Sequence, residues 1–139
     1  MTVLAIAAAC LLDAQGRLLL VRKRGTQAFM LPGGKREAGE TAIAALQREL
    51  LEELNLSLPA EAFEVLGQFQ APAANEPDTW IDADIFVAPL NQPVAAAAEL
   101  EELAWLDLQA PERDDLAPLL RLHVLPRLLA QLMNAVPGG

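Results

Sequence analysis

The stretch Leu31–Leu56, LPGGKREAGETAIAALQRELLEELNL, governs the reading of the whole chain. From Thr41 onward Ile43, Leu46, Leu50 and Leu54 recur at three- and four-residue steps, so the sequence predicts a Pro-Gly-Gly turn followed by an amphipathic helix. Glu49, Glu52 and Glu53 stand at i, i+3 and i+4 and emerge side by side, Glu53 nearest the edge of the apolar stripe. Like charges so placed repel by roughly 0.2–0.5 kcal/mol per pair on an exposed helix, and by more where water is excluded. Arg48 and Lys35 offset part of that repulsion, but a cluster of hard carboxylate oxygens with few basic neighbours suits Mg²⁺ or Mn²⁺. Taken alone, an E-x-x-E-E run is more often a solvated acidic face.

The surrounding spacing separates these two readings. From Gly34, five residues lead to Glu40 and seven more to Arg48 and Glu49; then come Leu50, one residue, Glu52 and Glu53, one residue, Asn55 and Leu56. This resembles the Nudix box, G-x5-E-x7-R-E-U-x-E-E-x-G-U with U a bulky aliphatic, met everywhere except at Asn55, where the family usually has Gly. That Gly ends the helix in the left-handed conformation, and Asn is the next most tolerant residue there.

The resemblance implies an α/β domain, an α/β/α sandwich with a mixed sheet between helices. It implies hydrolysis of the phosphoanhydride in a nucleoside diphosphate linked to another moiety, either a nucleoside triphosphate or a nucleotide sugar such as ADP-ribose. It also implies a metal set of Glu49, Glu52, Glu53 and the Gly34 carbonyl, completed from outside the box by Glu99, with Glu101 and Glu102 as alternatives. Water is then the nucleophile, and Glu49 or another glutamate of the set takes its proton. Arg48 would orient Glu49 or Glu52, and Glu40 would support the junction of loop and helix. Lys35 and the basic strand end carrying Arg22 and Arg24 would meet the phosphates. The competing reading is a Nudix-like module that binds a nucleotide without cleaving it. Against it stands the full acidic set, which a pure binder does not need.

Composition narrows the setting. A chain of 139 residues with 53% hydrophobic content predicts one domain over 1–139. A net charge of −9 opposes nucleic-acid polymers as partners, while a small anionic nucleotide is acceptable once divalent cations reverse the local sign. Cys10 is the one cysteine, which excludes an internal disulfide and points to a reducing, cytoplasmic setting. The opening MTVLAIAAACLL has no Lys or Arg before its apolar run and meets Asp13 at once, so it reads as a buried strand rather than an export signal or membrane span. Homodimerisation is common in domains of this kind.

In order, the sequence predicts strands at Val3–Leu12 and Arg17–Arg24, paired as a hairpin through Asp13–Gly16, and strands at Phe63–Phe69 and Trp80–Ala88 about a polar loop, Gln70–Thr79. Ile81, Ala83, Ile85 and Val87 should face the core. Trp80, Phe69 and Phe29 are candidates for stacking on a base, with packing the commoner role. Glu99–Leu106 follows a loop, and the leucine-rich tail Pro111–Val136 reads as a helix that starts near Pro118 and is interrupted near Pro126. His123 in that tail reads as structural.

Overall fold

The computed structural model describes residues 1–73 and 76–134. Six strands, β1 (Thr2–Leu12), β2 (Arg17–Lys23), β3 (Gly33–Lys35), β4 (Glu64–Pro72), β5 (Thr79–Pro89) and β6 (Leu100–Asp107), form one mixed sheet between helices α1 (Ala42–Leu54) and α2 (Leu125–Asn134). The order is β4-β5-β1-β2-β6, with β3 also on β1. Among the described residues no helix is long and apolar enough to cross a membrane.

β1 is an unbroken apolar run because both of its faces are covered. Ala7, Ala9 and Leu11 pack with Leu46, Leu50 and Leu54 of α1, while Ala8 and Cys10 pack with Leu120, Val124 and Leu128 of the C-terminal segment. Cys10 is fully buried, and burial pushes its thiol up to about 12. β5 divides in the same way. Ala83 and Ile85 face the α2 side, as their alternation predicts, with Ile81 and Val87 packed at its margin, and Phe86 and Ala88 join the α1 side.

β1 and β2 form the expected antiparallel hairpin, with Leu12 opposite Leu18, and β1 also runs parallel to β5 over eleven positions from Thr2–Thr79 to Leu12–Pro89. The structure corrects two local expectations. The Pro-Gly-Gly segment is not a free turn: Gly33–Lys35 is strand β3, antiparallel to Ile6–Ala8. A Cβ at Gly33, whose φ is +147°, would collide with the Ala7 carbonyl and with Ala8, so only glycine permits this approach. The strands also consume both ends of the expected Gln70–Thr79 loop, of which Ala74 and Asn75 lie outside the described residues.

The tail is helical from Pro118, and a π-type turn at Leu120–Val124 precedes α2, with the Leu125 N–H reaching back to the Leu120 carbonyl. Pro126 lacks an N–H and follows at once, so the irregularity sits where the helical ladder would lose a donor.

Asn55 ends α1 at φ 52° and ψ 38°, its N–H directed to the Leu50 and Leu51 carbonyls. A left-handed residue with a Cβ and no local side-chain compensation costs about 1 kcal/mol. Asn55→Ala should therefore lower the unfolding free energy in urea by about that amount, and Asn55→Gly should leave it equal or slightly higher.

Candidate active site

Helix α1 begins where the Thr41 hydroxyl accepts the Ala44 N–H at 3.1 Å. Burial of Leu46, Leu50 and Leu54 then fixes the rotation of the helix, which brings Arg48, Glu49 and Glu53 against β3.

Glu53 is the one buried charged residue among those described, 2% exposed, and its Oε1 accepts the Gly33 N–H at 3.1 Å. Loss of water pushes this carboxyl up to about 7, against the pull of the Gly33 N–H; Glu49 adds to the rise and Lys23 opposes it. Glu49 is raised for the same first reason, with Arg48 opposing. Its carboxylate fills the space that a side chain at Gly34 would take, since a Cβ there would lie 2.5–2.7 Å from its three terminal atoms. Glu52 remains open to solvent, its carboxylate 3.9 Å from Arg48 Nη1.

Arg48 ties the acidic residues together. Its Nε and Nη2 donate to the two Glu40 oxygens at 2.9 and 2.8 Å, its Nη1 to Glu49 Oε1 at 2.9 Å, and its Nη2 also to the Lys35 carbonyl at 3.1 Å. This fork holds the Glu40 carboxyl down at about 2, helped by the Glu37 N–H, and the same bond to Glu40 raises Arg48.

Among the described residues no three His, Cys, Asp or Glu side chains converge as a ready cage for an ion. Each carboxylate is placed separately: Glu53 accepts a backbone donor, Glu49 accepts from Arg48, and Glu52 is exposed. The donor chemistry still fits a hard divalent cation, since the available groups are carboxylate oxygens, with Glu49 against the side-chain-free Gly34 and Glu53 on the Gly33 N–H.

The second acidic group meets the basic strand end. Glu99 lies 3.5 Å from Lys23, Glu101 3.5 Å from Arg24 and Glu102 3.0 Å from Arg22. The Ala97 N–H donates to the Glu53 carbonyl at 2.8 Å, and the Arg24 N–H to the Glu99 carbonyl at 2.8 Å, so the segment bearing Glu99 is fastened to both α1 and β2. The charge of Glu99 adds to the rise of the Glu53 carboxyl. Arg22 also donates to the Thr26 carbonyl at 2.7 Å and lies over the Phe29 ring.

Beside Gly33 and Gly34 opens a cleft of about 340 Å³. Lys35 lines it, and so does Lys23, whereas Arg22 and Arg24 do not. Lys23 belongs to the same basic strand end as Arg22 and Arg24, and the sequence does not single it out. It sits at a β-bulge between Arg22 and Lys23, which strand alternation does not reveal, although alternation does turn it away from its two arginine neighbours. Trp80, Phe69 and Phe29 are also absent from the lining; Phe29 is buried, and Phe69 stacks on His123 with ring centroids 6.3 Å apart.

Comparison with known proteins identifies the domain. The NUDIX domain model matches residues 1–128. The MutT NUDIX hydrolase of Burkholderia pseudomallei superposes with a TM-score of 0.73 at 22% identity, over 95% of this chain and 99% of that one. The NUDIX domain of Shewanella oneidensis NrtR, solved with ADP ribose, gives 0.74 at 20% identity over 95% and 90%. A MutT/nudix family protein of Enterococcus faecalis gives 0.65 at 23% identity over 76% of this chain, which spans only 44% of that longer one. At these identities the superpositions show the fold. No curated protein matches the chain.

The buried Glu53 carboxyl gives a stability test. Its folded value near 7 lies above the ordinary 4.5, so its contribution is complete below pH 4.5 and is lost as pH rises through 7. In chelator, wild-type stability should fall between pH 5 and 8. Glu53→Gln, which keeps an acceptor for the Gly33 N–H, should remove that fall and gain on the order of 2 kcal/mol at pH 8, read from urea midpoints.

Proposed function

This chain belongs to the Nudix family, and from that premise we propose that it is a divalent-metal-dependent pyrophosphohydrolase acting on a nucleoside diphosphate linked to another group. The observation that supports the reading most is Glu53. A carboxylate 2% exposed, beside the carboxylate of Glu49, is a costly arrangement for a fold to keep without a cationic ligand.

Glu49, Glu52, Glu53, the Gly34 carbonyl and Glu99 would hold Mg²⁺ or Mn²⁺, which when bound neutralises diphosphate oxygens and acidifies water. Glu49 or another glutamate of the set removes the proton from the attacking water. Arg48 orients Glu49, and Glu40 anchors Arg48 in turn through the two-pronged pair. Lys35 and Lys23, on the wall of the cleft, neutralise charge on the departing phosphate, and Arg22 and Arg24 shape the field behind them. The complex of the Shewanella domain with ADP ribose recommends ADP-ribose alongside nucleoside triphosphates as a first substrate.

Release of nucleotide and phosphate from such a panel with Mg²⁺ tests the reading, and no release from any member would overturn it in favour of a binding-only module. Glu53→Gln should lower kcat by about 100-fold or more while the circular dichroism spectrum is retained. Arg48→Lys keeps the charge but loses the planar fork to Glu40, and should cost about 10–100-fold. His123→Ala, on an exposed turn against Phe69, should leave turnover within about 2-fold.

A further inference from the structure

Two arginines hold Glu40, one at each end of the residue. Arg48 reaches it from α1 and grips the carboxylate. Arg36 reaches it from within the loop and takes the main-chain carbonyl, its Nη2 donating at 3.0 Å. Arg36 is itself held at two further points: its backbone N–H donates to the Ala5 carbonyl of β1 at 3.0 Å, and its Nη1 to Asp84 Oδ2 of β5 at 3.3 Å. Asp84 stands opposite Ala7, and Ala7 opposite Gly34, so one row across β5, β1 and β3 runs from the carboxylate that holds Arg36 to the glycine against which Glu49 rests. β5 is fixed at that row, since Ala83 and Ile85 on either side of Asp84 are fully buried. The Gln68 amide on the neighbouring strand goes to Asp82 at 3.0 Å, which leaves Asp84 to Arg36.

We infer that Arg36, braced by Asp84, is a positioning residue for the hydrolysis: it fixes the Glu40 backbone, Glu40 fixes Arg48, and Arg48 aims the Glu49 carboxylate. This rests on the hydrolase reading above. The packing of Leu46, Leu50 and Leu54 sets the place and rotation of α1, but a long guanidinium side chain keeps several rotamers open until its partner is held. Glu40 is that partner, and it lies in a loop that turns through Gly39 at φ +84°. The bond from the Glu40 N–H to the Glu37 carbonyl ties this loop only to itself. Arg36 is the loop side chain that ties it to β5. With Arg36 34% and Asp84 30% exposed, the pair adds little to folding, so its loss registers in the geometry of the carboxylate centre. Removing a group that orients a ligand costs about 10–100-fold, and a displacement of about 1 Å can cost 10²-fold.

A double-mutant cycle tests the relay. At saturating Mg²⁺, Arg36→Ala and the isosteric Asp84→Asn should each lower kcat by about 5- to 30-fold with KM within about 3-fold. The double variant should lose no more than Arg36→Ala alone, because Asp84 acts through Arg36. Arg36→Lys keeps the charge for Asp84 but has no second arm for the Glu40 carbonyl, and should fall between Arg36→Ala and wild type. Arg17→Ala, which removes the ion pair with Asp13 at the β1–β2 turn, should leave turnover unchanged. Mn²⁺ affinity of the nucleotide-free protein, read by electron paramagnetic resonance, gives a readout independent of turnover, and should weaken about 3- to 10-fold in both single variants and in the double alike. Where nucleotide is hydrolysed kcat is the deciding readout, and where it is not, Mn²⁺ affinity is. The expected Mn²⁺ pattern without hydrolysis of any substrate keeps the relay and removes the hydrolase reading, whereas a protein that neither binds Mn²⁺ nor hydrolyses overturns both. Losses that multiply in the double variant, a change confined to KM, which would mark Arg36 as a direct phosphate contact, or a deciding readout within about 2-fold of wild type in both single variants overturns the inference.

Discussion

Three carboxylates on neighbouring positions of one helix repel each other, and much of the surrounding architecture is the set of partners that makes this tolerable. The Arg48 guanidinium spans Glu49 and Glu40 and reaches the β3 backbone, so a single planar cation joins the helix, the loop before it and the sheet. Gly33 presents a backbone donor to Glu53 where a larger residue would be driven off β1. The two glycines thus act differently: one lets strands approach, the other leaves room for a carboxylate. A larger residue at either would displace an acidic group without touching its charge.

A similar balance operates across β2 and β6. Lys23, Arg22 and Arg24 are matched by Glu99, Glu102 and Glu101, so that neither the basic strand end nor the acidic segment carries an unopposed field. Exposed pairs of this kind contribute little stability, ~1 kcal/mol or less each. Their greater effect is on position. Lys23, beside the bulge, lines the cleft, and the bond from Ala97 to the Glu53 carbonyl holds the segment bearing Glu99 to the end of α1.

Much of this was legible in the chain because it is local. The stripe Leu46, Leu50, Leu54 gave the helix and its buried face, the spacing from Gly34 to Leu56 gave the family, and Asn55 was recognisable as a left-handed cap because few residues tolerate that conformation. What stayed hidden depends on distant partners. Gly33–Lys35 has no strand propensity and is a strand only because β1 lies beside it. The parallel pairing of β1 with β5 joins segments far apart in sequence, and an apolar run buried on both faces does not announce its neighbour. Arg22 and Arg24 read as candidate phosphate contacts from the basic strand end together with the family resemblance. Their acidic partners come from the far edge strand, and neither that pairing nor the register shift between Arg22 and Lys23 leaves a mark in the residue order.

The burial of Cys10 at the centre of the sheet has a practical side. Its thiol is shut away from solvent and resists ionisation, so alkylating reagents have no route to it while the sheet is intact. A chain with a single sulfhydryl in that position carries its own clock: the rate of labelling reports how often the sheet opens, with no engineered probe and no change to the glutamate centre.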